Sequence, residues 1–160
     1  MSEALEVLIG RALKARGWTL ATGESCTAGL VSHRITNVPG SSDYFRGGVV
    51  AYSNDAKAGL LGVQQSTLTQ FGAISQETAL EMARGARRAF QADVGVSVTG
   101  IAGPGGGTPE KPVGLTWIAV SSHAGDHARQ YLWEGDREHN KAQSAHAALT
   151  LLWETLENEG

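Results

Sequence analysis

Apolar residues recur at helical spacing from the start of the chain. Over residues 3–16, Leu5, Leu8, Ile9, Ala12 and Leu13 fall together, while Glu3, Glu6, Arg11 and Lys14 fall elsewhere. Gly17 supplies a stop. Residues 18–22 (WTLAT) read as a short strand, 23–26 as a strand-to-helix turn and 27–36 as a second helix. Residues 37–42 (NVPGSS) are a loop by their turn chemistry. Residues 47–52 (GGVVAY) suggest a strand, and Ser53 or Asn54 would cap a short helix carrying Ala56, Lys57, Leu60 and Leu61. Gly62 ends that helix, and Ser66 is placed to cap another.

The clearest helix is predicted over residues 75–90, capped by Ser75, with a stripe of Ala79, Met82, Ala83, Ala86 and Phe90. Alternation at Val94, Val96 and Val98 predicts a strand over 93–99. A Gly/Pro loop follows over 100–112, then strands over 113–121 and 128–133. A last helix is expected over 137–157, with Ala145, Leu149, Leu152 and Leu156 on one face. Strands alternate with helices over most of the chain and end in a strand pair. That order predicts an α/β fold, a single-domain three-layer α/β/α sandwich with a mixed, mostly parallel sheet of about five strands. Neither a composition break nor an internal repeat divides residues 1–160.

Composition narrows the function. Apolar residues make up 41% of the 160, enough for one sizeable core. The net charge of −3 comes without a basic run, which argues against a nucleic-acid partner. Apolar stretches are short and interrupted, so no membrane span is expected. The first residues lack a basic region followed by an apolar one, so no secretory signal is expected. Cys26 is the one cysteine, which fits a reducing cytoplasm. The histidines (His33, His123, His127, His139, His146) show no metal-ligand spacing and read as surface residues.

Three segments carry candidate chemistry. In residues 22–29 (TGESCTAG), Ser25 stands at a strand-to-helix turn, where free N–H groups and a helix dipole favour an oxyanion. The same position suits an ordinary capping serine. Glu24 beside it would orient a base or a substrate hydroxyl, or equally serve a helix N-terminus. Cys26 is a rival nucleophile without a His/Asn pattern to support it, and is otherwise a small buried hydrophobe. In residues 52–57 (YSNDAK), Lys57 falls in the first turn of a helix that starts at the same sheet edge. Desolvated there, it would lose its proton readily and could accept one from a serine; exposed, it is a solvated helix lysine. In residues 99–107 (TGIAGPGGG), Thr99 ends a strand and the glycines let backbone approach a ligand. The dinucleotide fingerprint spacing is absent.

Taken together, ESCT at 24–27, GGVVAYSNDAK at 47–57, TGIAGPGGG at 99–107, EKPVG at 110–114 and GDR at 135–137 resemble the CinA C-terminal domain family in order and spacing. Its stand-alone members are nicotinamide-nucleotide amidases. The resemblance runs from about Leu5 to Leu156. It implies deamidation of nicotinamide mononucleotide to nicotinic acid mononucleotide and ammonia, with no cofactor and no metal. It puts the nucleophile on Ser25, the base on Lys57 and an assisting, proton-relaying tyrosine on Tyr52. N–H groups between Ser25 and Thr27 would hold the oxyanion. Substrate binding falls on Glu24, Cys26, Thr27, Arg46, Gly47, Thr99, Gly100, Gly103, Arg137 and Lys141. Arg137, an ordinary helix-start arginine by its position, becomes a phosphate ligand by the resemblance. Lys141 stands where the family often has a second arginine, and Ala28 where it often has glycine. The nucleotide-processing domain of longer CinA proteins is not expected, and a homo-oligomer is. Two other readings remain open on the residues: a non-catalytic nucleotide-binding module, and an amidase for a different carboxamide.

Overall fold

The computed structural model describes residues 3–158. Helix α1 (Leu5–Arg16) ends at Gly17, whose left-handed φ of 68° breaks the helix. Strand β1 (Leu20–Glu24) follows, then α2 (Leu30–Thr36), a single tight turn at Ser41–Asp43, and β2 (Phe45–Val50). Helices α3 (Asn54–Leu61), α4 (Gln65–Phe71) and α5 (Gln76–Phe90) come next. Strands β3 (Val94–Gly100), β4 (Leu115–Ser122) and β5 (Gly125–Leu132) and the long α6 (Arg137–Asn158) complete the chain.

The strands lie in the order β2-β1-β3-β4-β5. β1 pairs in parallel with both β2 and β3, while β4 pairs antiparallel with β3 and β5. Four strands therefore run one way and β4 runs against them, so the expected mixed sheet is present.

Period-two burial explains the two outer layers. Val94, Val96 and Val98 point to the face covered by α1, α2 and α6, where they meet Ile9, Leu13, Val31, Ile35, Leu149 and Leu152. Burying each leucine or isoleucine there contributes about 1.5–3 kcal/mol. The alternate residues of β3 face α5 instead. Ser97 donates to the Ala79 carbonyl at 2.6 Å and Thr99 to the Ala73 carbonyl at 2.7 Å, so these polar side chains are satisfied in the core. On this face Leu61 of α3, Leu68 of α4 and Met82 and Ala86 of α5 pack with Ala21.

Two boundaries differ from expectation in ways that affect the site. α2 begins at Leu30, not residue 27, because Ala28 (φ 48°) and Gly29 (φ 100°) turn the chain through left-handed conformations first. β2 begins at Phe45, not residue 47. A bulge shifts its register, so Leu20 pairs with Phe45 and Ala21 with Gly47, leaving Arg46 between them.

Candidate active site

The parallel strands β1, β2 and β3 end at one sheet edge, and their following segments converge there. Ser25 comes from the β1–α2 turn and Lys57 from α3, whose N-cap Ser53 accepts from the Ala56 N–H at 3.1 Å. Lys57 Nζ donates to Ser25 Oγ at 3.1 Å, and both residues are buried, at 3% and 7% exposure. No carboxylate among the described residues pairs with Lys57. Burial pushes its ammonium below the ordinary lysine range.

A cavity of about 310 Å³ opens over this pair. Of the expected residues it is lined by Ser25, Cys26, Tyr52, Lys57, Gly100, Gly103 and Arg137. Sequence reasoning did not assign Asn54, Ala73, Ile74, Ile101 and Ala102, which line it too. Asn54 was legible only as a helix cap, although it stands three residues before Lys57 and so on the same helix face. Ile74 reaches the cavity through the α4–α5 turn, which Thr99 holds by its bond to Ala73.

Each neighbour has a definable job. Ser25 N–H donates to the Val98 carbonyl at 2.9 Å, so it belongs to the sheet and is withdrawn from the expected oxyanion donors. The N–H groups of Cys26 and Thr27 donate to no other residue among those described. Burial raises the Cys26 thiol to about 11, which leaves it protonated and unfit as the nucleophile near neutral pH.

Of its two expected roles, Glu24 takes the one at a helix N-terminus. It is 1% exposed, and Oε1 accepts from Thr27 Oγ1 and the Val31 N–H while Oε2 accepts from the Ser32 N–H and Oγ. All its acceptor capacity serves the start of α2, and none faces the cavity. The Thr27 side chain is spent on the same bond, and Thr99 lies beneath the lining rather than in it.

Arg46 and Gly47 lie outside the cavity lining as well. Both sit near the start of β2, level with Leu20 and Ala21, about 13 Å along the strand from Ser25. Lys141 is half-buried one turn beyond Arg137. It lies outside the lining, though its charge bears on the Cys26 thiol.

Arg137, the first residue of α6, spans the cavity mouth. It donates to the Gly103 carbonyl at 2.7 Å and to the Tyr52 hydroxyl at 2.9 Å. Tyr52 is 58% exposed, and no hydrogen bond joins it to Ser25 or Lys57 among the described residues, so the expected relay has no direct link. Below Arg137, Asn140 is 2% exposed. It accepts from the Gly135 N–H and donates to the Ala102 and Gly135 carbonyls, each at 3.0 Å. It thereby ties the glycine-rich loop to the head of α6. Its side chain was not singled out from sequence, since a polar residue in the second turn of a helix carries no signal.

Fold and site together define an α/β protein with a buried serine–lysine pair beneath a glycine-rich loop. Residues 2–156 match the CinA C-terminal domain, and the chain belongs to that family. The nicotinamide-nucleotide amidohydrolase PncC of Escherichia coli K12 is 48% identical over 147 residues, covering 91% of this chain and 89% of that one. The CinA-like protein of Salinibacter ruber is 49% identical over 152 residues, covering 95% of this chain, but the match spans only 37% of that protein's length. Among solved structures, the competence damage-inducible protein A of Klebsiella pneumoniae superposes with a TM-score of 0.92 at 34% identity. The match covers 96% of this chain and 95% of that one. The Agrobacterium tumefaciens protein CihA gives 0.87 at 40% identity, with 98% and 99% covered.

Proposed function

We propose that this chain hydrolyses the carboxamide of nicotinamide mononucleotide, with Ser25 as nucleophile and Lys57 as general base. One observation carries the reading. A lysine 3% exposed, with no carboxylate partner among the described residues, rests 3.1 Å from a serine hydroxyl at the floor of a cavity. Burying an uncompensated ammonium is costly, and a binding module has no use for it. A base that must be neutral requires that environment. The amidohydrolase name of the Escherichia coli relative supports the choice of a nicotinamide nucleotide.

Lys57 Nζ takes the Ser25 hydroxyl proton as Oγ attacks the carboxamide carbon. The carbonyl oxygen becomes an oxyanion that the Cys26 and Thr27 N–H groups, which donate to no other described residue, would hold. Lys57 returns the proton to the amide nitrogen, the C–N bond breaks and ammonia leaves, with an ester on Ser25. Water then gives a proton to Lys57 and attacks the ester carbon. Oγ recovers that proton as it departs, freeing nicotinic acid mononucleotide. Arg137 offers its outward N–H groups to the phosphate, and Tyr52 fixes the guanidinium plane through the bond to its hydroxyl.

The test is ammonia and nicotinic acid mononucleotide formation from nicotinamide mononucleotide without added metal. The expected result is turnover by the native chain and a loss of at least about a thousandfold in Ser25→Ala, with binding retained. Undiminished turnover in Ser25→Ala would remove the mechanism. Saturable binding without turnover by the native chain would favour a nucleotide-binding module, and turnover of other amides alone would move the substrate.

A further inference from the structure

A second polar cavity lies at the opposite end of the sheet. Arg84, Arg87 and Arg88 of α5, with Ala92 and Ser121, line a space of about 300 Å³. Ser121 pairs with Gly95 and Gly95 with Ala21, near the start of β1, whereas Ser25 follows the end of that strand. The two cavities share no lining residue and are separated by about 13 Å of strand.

Positions 84, 87 and 88 fall on one helix face, so three like charges are held together there. Arg84 is neutralised, its Nε donating to Asp126 at 2.5 Å. Arg87 and Arg88 form no ion pair with a carboxylate among the described residues, although Asp126 also feels Arg87. The nearby Asp93 is engaged by His123 and Thr19.

What holds the two remaining guanidinium groups is weak. Arg87 reaches the Ala92 carbonyl at 3.5 Å and Ser121 Oγ at 3.3 Å, and its Nη2 lies 3.3 Å from His123 Nδ1. Arg88 reaches the Leu61 carbonyl at 3.3 Å. All four are long beside the roughly 2.7–2.9 Å of a charge-assisted bond. Gly95 lies under α5, where an added Cβ would meet the Ala83 carbonyl oxygen first and then Arg87 Cγ at 2.9 Å, so this glycine lets the helix and the Arg87 stem lie close on the sheet. Cations favour a helix C-terminus, and that accounts for Arg87 and Arg88 standing in the last turn. It does not account for three converging on one cavity with most donors unfilled.

We propose that this cavity binds a small molecule bearing a phosphate group. With Arg84 and Asp126 cancelling, the two free guanidinium charges match the roughly −1.5 to −2 of a phosphate monoester. The Ser121 hydroxyl accepts from Arg87 and is engaged by Asp126, so it steadies the guanidinium beside the cavity.

The test follows the arginine Nε–H resonances of the full chain while inorganic phosphate, and in a second arm methyl phosphate, is added at constant ionic strength. Saturable shifts at Arg87 and Arg88 are expected with both. Affinity should fall at least tenfold in Arg87→Gln and in Arg88→Gln, and persist in Arg137→Gln. Saturation by methyl phosphate alone still places an ester in this cavity. No saturable shift with either would overturn the proposal, as would an equal response to chloride. Loss of binding in Arg137→Gln alone would assign the anion to the catalytic cavity and overturn it too. Stronger, steeply salt-dependent binding of a short DNA duplex at these arginines would replace it with a nucleic-acid surface.

Discussion

At the residue scale the decisive feature is a lysine held where charge is disfavoured. Burial lowers the Lys57 pKa, so between its folded value and the unfolded value of about 10.4 the unfolded chain binds the extra proton. Stability contributed at this position is therefore absent below the folded pKa and regained as pH rises through that window. Lys57→Met removes the titrating group. The variant should be more stable than the native chain near neutral pH, and the difference should shrink as pH approaches 10. Urea denaturation across pH reads this, and parallel stability curves would contradict a depressed pKa. On the proposed mechanism the acid limb of kcat/KM follows the same deprotonation, and Lys57→Met should lose at least about a hundredfold in turnover. A second residue-level strain sits at Ala28, a non-glycine at φ 48°. Ala28→Gly should raise stability by about 1 kcal/mol, seen as a higher urea midpoint with an unchanged slope.

At the scale of elements, α2 shows what periodicity conveys and what it leaves out. Its existence was legible, and its Val31 and Ile35 enter the core. Its start was not, because a carboxylate six residues upstream, on β1, caps it. Glu24 satisfies the Val31 and Ser32 N–H groups, so the positive end of α2 is already answered and Ser25 lies outside the helix. Glu24→Ala should therefore cost at least about 2 kcal/mol and expose the Val31 and Ser32 amides to hydrogen exchange. Unchanged protection with a raised KM would instead return Glu24 to the substrate. The same logic explains β2. Its GGVV run was read as the strand, yet pairing begins at Phe45, and the bulge at Arg46 is a feature of register that composition does not encode.

At the scale of the molecule, the site exists because strands laid parallel deliver their C-terminal ends to one edge. Ser25 and Gly100 stand just beyond strand-like runs and Lys57 in the first turn of the helix that follows one, which is where such a sheet gathers its loops, so their convergence on one cavity was legible from sequence. The ties between those loops were not legible, since they link residues far apart in the chain by single side chains. Asn140 is the clearest case, with its amide joining the Ala102 end of the glycine-rich loop to Gly135 at the head of α6. It lines no part of the cavity over Ser25 and Lys57. Yet Arg137 sits one turn before it and bonds the next loop carbonyl, that of Gly103. Removing the amide would leave the Gly135 N–H and two carbonyls without partners and free the loop from the helix. Asn140→Ala should cost about 2–4 kcal/mol in stability. On the proposed function it should act mainly through KM for the nucleotide, because Arg137 loses its fixed position, while the distant Ser25–Lys57 pair keeps its geometry and kcat falls little. Steady-state kinetics on the folded variant separate the two. A collapse of kcat at unchanged KM would place the role of Asn140 in the chemistry, and equal kinetics would show that the Arg137 bonds to Gly103 and Tyr52 hold the loop unaided.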